Sequence, residues 1–201
     1  MNIQDETEYI MQTFKNLQLD GEEVRSKIFD ECSFENCSFR ETQFIACTFK
    51  ECKFDHCNLS LMKVQAARFL NVSYTHCQLS GVNWSAAAPA ILASKSPINF
   101  ISCGLNYATF IGMKLKGITI RDCTARDVDF SDADLEKADC RNTDFSNTRF
   151  VNTNLAAADF RGAKHYLISP TLNKLKKTRF SLPEAIGLLH GLDIVLDEDE
   201  M

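Results

Sequence analysis

Residues 32–56 read CSFEN-CSFRE-TQFIA-CTFKE-CKFDH, five consecutive blocks of five with a phenylalanine at the third place of each, Phe34, Phe39, Phe44, Phe49 and Phe54. Stepping outward by fives extends the series back to Val24 and Phe29 and forward through Leu59, Val64, Phe69, Tyr74, Leu79 and Trp84. A second register runs Phe100, Leu105, Phe110, Leu115, Ile120, Ala125, Phe130, Leu135, Cys140, Phe145, Phe150, Leu155 and Phe160. Every one of these positions is apolar or small, and 13 of the 15 phenylalanines fall on them, so an internal repeat governs the fold. Two residues before each centre lies a second column, including Cys32, Cys37, Thr42, Cys47, Cys52, Cys57, Cys77, Cys103 and Cys123, none of whose members is charged. Together with the centre Cys140 it accounts for all nine cysteines as small interior side chains.

Neither regular element explains a period of five. Five residues of α-helix advance about 500°, which scatters the phenylalanines around the helix. Along a straight strand, an odd period sends successive centres to opposite faces. The chain must therefore bend every five residues, with the small residue and the centre both pointing inward and the other three turning a corner.

These blocks, and the later run ADLEK-ADCRN-TDFSN-TRFVN-TNLAA-ADFRG at 133–162, closely resemble the pentapeptide-repeat family, over residues 24 to 165. The resemblance implies an all-β solenoid, a right-handed quadrilateral β-helix with four pentapeptides per coil. Residues twenty apart would stack on one face, about 4.8 Å from each other. Cys37, Cys57 and Cys77 would form one interior ladder, and Phe34, Phe54 and Tyr74 another.

The repeat breaks once. From Trp84 to Phe100 is sixteen residues, one more than three repeats, and SAAAPAILASKSP between them holds two prolines and no phenylalanine. Residues 85–97 read as a projecting loop between a first block (24–84) and a second (98–165). The alternative is a bulged coil with Ile91 and Leu92 tucked back on the core. As a loop on a rigid scaffold, its candidate contacts are Trp84, Pro89, Ile91, Leu92, Lys95 and Pro97. The resembled family includes quinolone-resistance and microcin-immunity members that also interrupt the helix with loops implicated in engaging DNA gyrase.

An open coil end needs a cap. Residues 166–192 are expected to supply an α-helical one. TLNKLKK after Pro170 suggests one or two helical turns, and Ser181 to Glu184 has capping-box spacing, predicting a helix from Leu182 to His190 stopped by Gly191. Its apolar face, Leu182, Ala185, Ile186 and Leu189, serves either an intramolecular cap or the C-terminal homodimer that the resemblance implies. At the other end, Phe14 and Leu19 keep phase while Glu22 and Lys27 stand at interior positions, so residues 1–23 read as a lead-in or cap with an imperfect first coil, residues 1–13 adding a strand or short helix.

The 201 residues, 45% hydrophobic and 24% charged, carry a net charge of -5. Asp193, Asp197, Glu198, Asp199 and Glu200 in the tail 193–201 account for that imbalance, and the remaining 22 acids match 22 bases. A neutral body argues against direct nucleic-acid binding. No apolar run is long enough to span a membrane, and the acidic N-terminus is unlike a secretory signal, so a cytoplasmic location is expected. The chain has no nucleophile elbow, phosphate loop or HExxH, so neither catalysis nor a cofactor is expected. His56 and His76, twenty apart, would stack outward beside Asn36, but no third metal ligand is evident. Asp129, Asp134, Asp139 and Asp144 each precede a centre, giving one coil an acid on all four faces. They read either as DNA-like recognition charge, which the family resemblance suggests, or as caps of their own turns. The resemblance implies a non-enzymatic protein that binds a bacterial type II topoisomerase, DNA gyrase or topoisomerase IV, and modulates it or protects it from quinolone or toxin. The alternative is a general scaffold for another partner.

Overall fold

The computed structural model describes residue 3, residues 5–89 and 97–192, and residue 194, apart from the side chain of His190. The bend at every fifth residue has one cause. The residue two places after every centre except Trp84 has positive φ, as at Asn16, Asn36, His56, His76, Asp122 and Asn142, all between 52° and 56°. This left-handed conformation costs an L-residue about 1–2 kcal/mol, and Asn and Asp tolerate it best. At Gly21, Gly81, Gly112, Gly117 and Gly162 the same corner is made without a Cβ.

Corners divide the chain into four faces of a parallel solenoid of about eight turns. Face 1 pairs strands Glu8–Ile10, Ile28–Asp30, Thr48–Lys50 and Arg68–Leu70. Face 2 pairs six, from Thr13–Lys15 through Ser33–Glu35, Lys53–Asp55, Val72–Thr75 and Ile98–Ile101 to Ile120–Arg121. Face 3 is built of single bridges, such as Gln18 to Ser38 to Asn58 to Gln78. Face 4 begins with Glu23–Arg25 beside Gln43–Ile45. All pairing is parallel and in register, so like residues stack: Phe34 on Phe54 at 4.5 Å between ring centroids, and Phe54 on Tyr74 at 4.9 Å. Rings of adjacent faces meet edge-on, as Phe29 meets Phe34 at 5.5 Å and 71°. Offset stacks along the axis and edge contacts across it fill the interior with aromatic carbon.

The second column has a polar duty as well as a steric one. Cys32 Sγ–H donates to the Tyr9 carbonyl at 3.3 Å, Cys52 to that of Phe29 at 3.3 Å, and Cys57 to that of Phe34 at 3.4 Å. Thr42, Thr143 and Thr153 donate to the carbonyls of Leu19, Ile120 and Phe130 in the same way. A side chain that is small, apolar in bulk and able to donate satisfies the inward carbonyl of a centre in the preceding coil, which suits Cys and Thr. All nine cysteines are buried and free.

The first coil begins at Tyr9 and Phe14, both buried, with a strand at Glu8–Ile10. Lys27 does occupy an interior position and is buried, and its Nζ donates to the Glu6 carbonyl, which gives the ammonium a partner. The C-terminal end differs from expectation. TLNKLKK is not helical. Lys174 bridges Asn154 and Arg179 bridges Asp159, which carries the solenoid past residue 165 to residue 179. The terminal helix is a 3-10 helix over Glu184–Gly191, not an α-helix from Leu182. The capping box fails because the Ser181 hydroxyl accepts from the Gly162 amide one coil earlier, at 3.0 Å, and the residue preceding the helix is Pro183.

Two predictions follow from the stacking and the corners. Phe34→Ala is expected to lower unfolding stability by about 3–5 kcal/mol in urea denaturation. Ala66, at φ 55°, touches solvent, yet Ala66→Val should cost about 1–2 kcal/mol while Ala66→Gly costs clearly less. Equal effects of the two corner substitutions would contradict the corner argument.

A third concerns pH. Burial raises the thiols of Cys32 and Cys47 and pushes Cys52 up to about 12. A thiol whose folded value exceeds its unfolded value of about 8.5 leaves stability intact below that pH and erodes it as the pH rises toward about 12. Urea midpoints should therefore fall between about pH 7.5 and pH 10.5, and fall less in Cys52→Ala; identical declines would remove the role of this thiol.

Candidate protein-interaction surface

The break in the repeat lies on face 1. Trp84 is the fourth-face centre of its coil, and Phe100 is the second-face centre of the next. Ten residues would ordinarily join them, so six are extra. The ladder shows the same count: Val72 pairs with Ile98, and Gln78 with Gly104, each 26 apart instead of 20. Face 1 is therefore interrupted after Phe69 and resumes at Lys114, which bridges Asp134.

The chain leaves through a 3-10 turn at Trp84–Ala86, where the Asn83 side chain accepts from the Ser85 amide at 3.1 Å. The amide of Ala88 donates to Ala67 at 2.8 Å. The chain returns where the Pro97 carbonyl accepts from Val72 at 2.9 Å. Between departure and return lies a cavity of about 430 Å³, lined by Phe69, Pro89, Pro97, Ile111 and Met113 among others.

Of the loop residues singled out from sequence, Pro89 is exposed at the rim. Ile91, Leu92 and Lys95 lie outside the described residues. Trp84 and Pro97 are corrected, because both are buried. Trp84 is a centre, wedged edge-on against Phe69, Tyr74 and Phe100 and parallel to Phe110. It anchors the base of the loop and offers no indole face to a partner.

The four acids lie one to a face, as their spacing predicts. Asp129 bridges Thr109 and Arg149, Asp134 bridges Lys114 and Asn154, Asp139 bridges Thr119 and Asp159, and Asp144 bridges Thr124 and Lys164. Each carboxylate accepts from the amide two residues on: Ser131 at 2.8 Å, Glu136 at 3.1 Å, Arg141 at 3.3 Å and Ser146 at 3.1 Å. Arg141 also grips Asp139 through two bonds of 2.7 and 2.8 Å and holds its carboxyl below the usual range. At Asp144 burial acts upward, but hydrogen bonds from Ser146, His165 and Arg126 outweigh it and keep the group ionised. All four acids cap turns, Asp139 and Asp144 also pair with local cations, and the four are spread one to a face rather than gathered into a negative strip.

At the C-terminal end Leu182 is 78% and Ile186 49% exposed, while Ala185 and Leu189 are half-buried. Leu167 and Ile194 are exposed as well.

The histidine pair stacks as its spacing predicts, with ring centroids 4.6 Å apart. Sequence reading missed the third member. Asp55 Oδ1 lies 3.0 Å from His56 Nδ1 and 3.5 Å from His76 Nδ1. Burial acts to raise the Asp55 carboxyl, but hydrogen bonds from both imidazoles hold it below the usual carboxylate range. The signal was present as an acid adjacent to His56 in a chain where His76 stacks one coil away.

Comparison with known proteins agrees with this architecture. A model described as a pentapeptide repeat region matches residues 27–89, and one described as pentapeptide repeats (8 copies) matches residues 129–164. No curated protein matches the chain in sequence. Among solved structures, full-length QnrB1, a plasmid-mediated fluoroquinolone resistance protein, aligns at 18% identity over 93% of this chain and 100% of its own, with a TM-score of 0.60. HetL, a pentapeptide repeat protein involved in heterocyst differentiation regulation from the cyanobacterium Nostoc sp. strain PCC 7120, aligns at 15% identity over 88% of this chain and 87% of its own, with a TM-score of 0.67. At such identities the likeness is one of fold. Repeat segments on both sides of the loop, in a coil that turns at nearly every fifth residue, show that this chain is built of pentapeptide repeats.

Proposed function

We propose that this protein is a non-enzymatic, cytoplasmic binding module that engages a bacterial type II topoisomerase, DNA gyrase or topoisomerase IV, and modulates it or shields it from a quinolone or toxin. The observation that carries the reading is the six-residue insertion on face 1, which lengthens the 20-residue ladder to 26 beside a largely apolar cavity. The fold likeness to a fluoroquinolone resistance protein supports the choice of partner class. Recognition would fall to the loop and its rim, with Pro89, Ile111 and Lys114 beside it, rather than to Trp84 or to the four capped acids. Direct nucleic-acid binding is not part of this reading: acids and bases balance over residues 1–192, and Arg126, Arg141 and Arg161 pair with Asp144, Asp139 and Asp159.

A second reading, a scaffold for a different protein, is favoured by the likeness to HetL, whose description concerns differentiation. In either case the exposed Leu182 and Ile186 suit a homodimer joined at C-terminal ends.

Added to gyrase supercoiling and quinolone-stabilised cleavage reactions, the purified protein should alter both, and a variant lacking residues 90–95 should lose the effect. No effect at molar excess would remove the topoisomerase reading, and an effect unchanged by the deletion would remove the loop from it. Sedimentation should give twice the monomer mass for the wild type and the monomer mass for Ile186→Asp; a monomeric wild type would end the dimer proposal.

A further inference from the structure

We propose that Asp55, His56 and His76 form a binding site for one divalent transition-metal ion of the zinc class, held by one carboxylate and two imidazoles on the outer wall of face 2. The inference stands apart from the topoisomerase reading, since neither the loop nor the C-terminal end takes part. Ligands at 2.0–2.1 Å around a tetrahedral ion lie about 3.3–3.4 Å from each other. The distances from Asp55 Oδ1 to the two ring nitrogens, 3.0 and 3.5 Å, straddle that edge, and the ligand atoms all lie within 4.8 Å of one another. Small rotations of half-exposed side chains close the rest.

The backbone beneath is fixed by the coil. His56 and His76 are corner residues with φ of 52° each, and their amides donate to the carbonyls of Thr75 and Ile101, both at 3.1 Å. Asp55 sits in the strand Lys53–Asp55, in register with Thr75. The same corner carries Asn36 one coil before and Ser102 one coil after, so imidazoles meet on two successive coils only. Several other acids sit with arginine or lysine partners, as Asp139 with Arg141 and Glu35 with Lys15, and Asp144 has one imidazole beside an arginine. Asp55 instead has two imidazoles, whose lone pairs are soft enough to bind a transition metal while the carboxylate supplies charge. On binding, each ring carries its proton on Nε2 and presents Nδ1 to the ion. Three protein ligands leave a coordination position open to water.

The test uses the full-length reduced protein, titrated with Co2+ by visible absorption and with Zn2+ by calorimetry. The expected result is one equivalent bound, with the d–d bands of a four- or five-coordinate ion and no thiolate charge transfer. His76→Gln and Asp55→Asn should each weaken binding by about tenfold or more, and His165→Gln should leave it unchanged. Circular dichroism of the metal-free variants separates loss of ligand from loss of fold, and either folded variant suffices to decide. Absence of saturable binding overturns the proposal, as does wild-type affinity in the folded ligand variants or a thiolate band that accounts for the metal.

Discussion

The left-handed residue two places after nearly every buried centre is the constraint on which the rest depends. It turns the chain through a corner, brings residue i+20 beside residue i, and lets amides and carbonyls pair along the axis. Each such residue sits in a conformation that L-amino acids avoid, and the conformation persists because neighbouring coils over-determine it. What holds those coils is the aromatic interior. A phenylalanine removed from water contributes about 1.5–3 kcal/mol before entropy is subtracted, enough to offset one strained corner per repeat. Strain and burial thus share one five-residue unit, and neither is stable without the other.

This bond between corner and core explains why side-chain chemistry divides so sharply. Inward positions accept only bulk and a modest donor, hence Phe, Leu, Cys, Thr and Ala. Outward positions are free in identity but fixed in place, since the in-register ladder sets which residues become neighbours. Asp55, His56 and His76 are brought together by that rule, as are Lys50 with Asp30 and Lys116 with Glu136, each pair twenty residues apart.

The centres and the small column were legible in the sequence because both are properties of the five-residue unit itself. The ends were less so, for different reasons. Lys27 reads as a violation of the interior column, yet its ammonium has a partner in the Glu6 carbonyl. TLNKLKK has helical composition, whereas Leu175 lies twenty residues after Leu155 and follows Lys174 on the face-1 ladder. Periodicity outweighed propensity there, and the spacing signal was available. Ser181 and Glu184 matched a capping box by spacing alone, while a tertiary partner, the Gly162 amide, had claimed the serine. In the candidate surface, Trp84 belonged to the series of centres, and its place in the register decided against exposure. Asp55 was overlooked because a lone acid on a charged surface carries no pattern until its stacked neighbours are known.

The 26-residue spacing at the loop has a consequence for how the chain folds. Nearly every pairing in the molecule closes a span of twenty residues, so order can spread along the axis like a zipper from any aromatic-rich turn. Closing 26 residues instead of twenty adds only about 0.2 kcal/mol of chain entropy. The insertion therefore slows propagation hardly at all, and a solenoid of this kind can take six extra residues into one face without sacrificing its cooperativity.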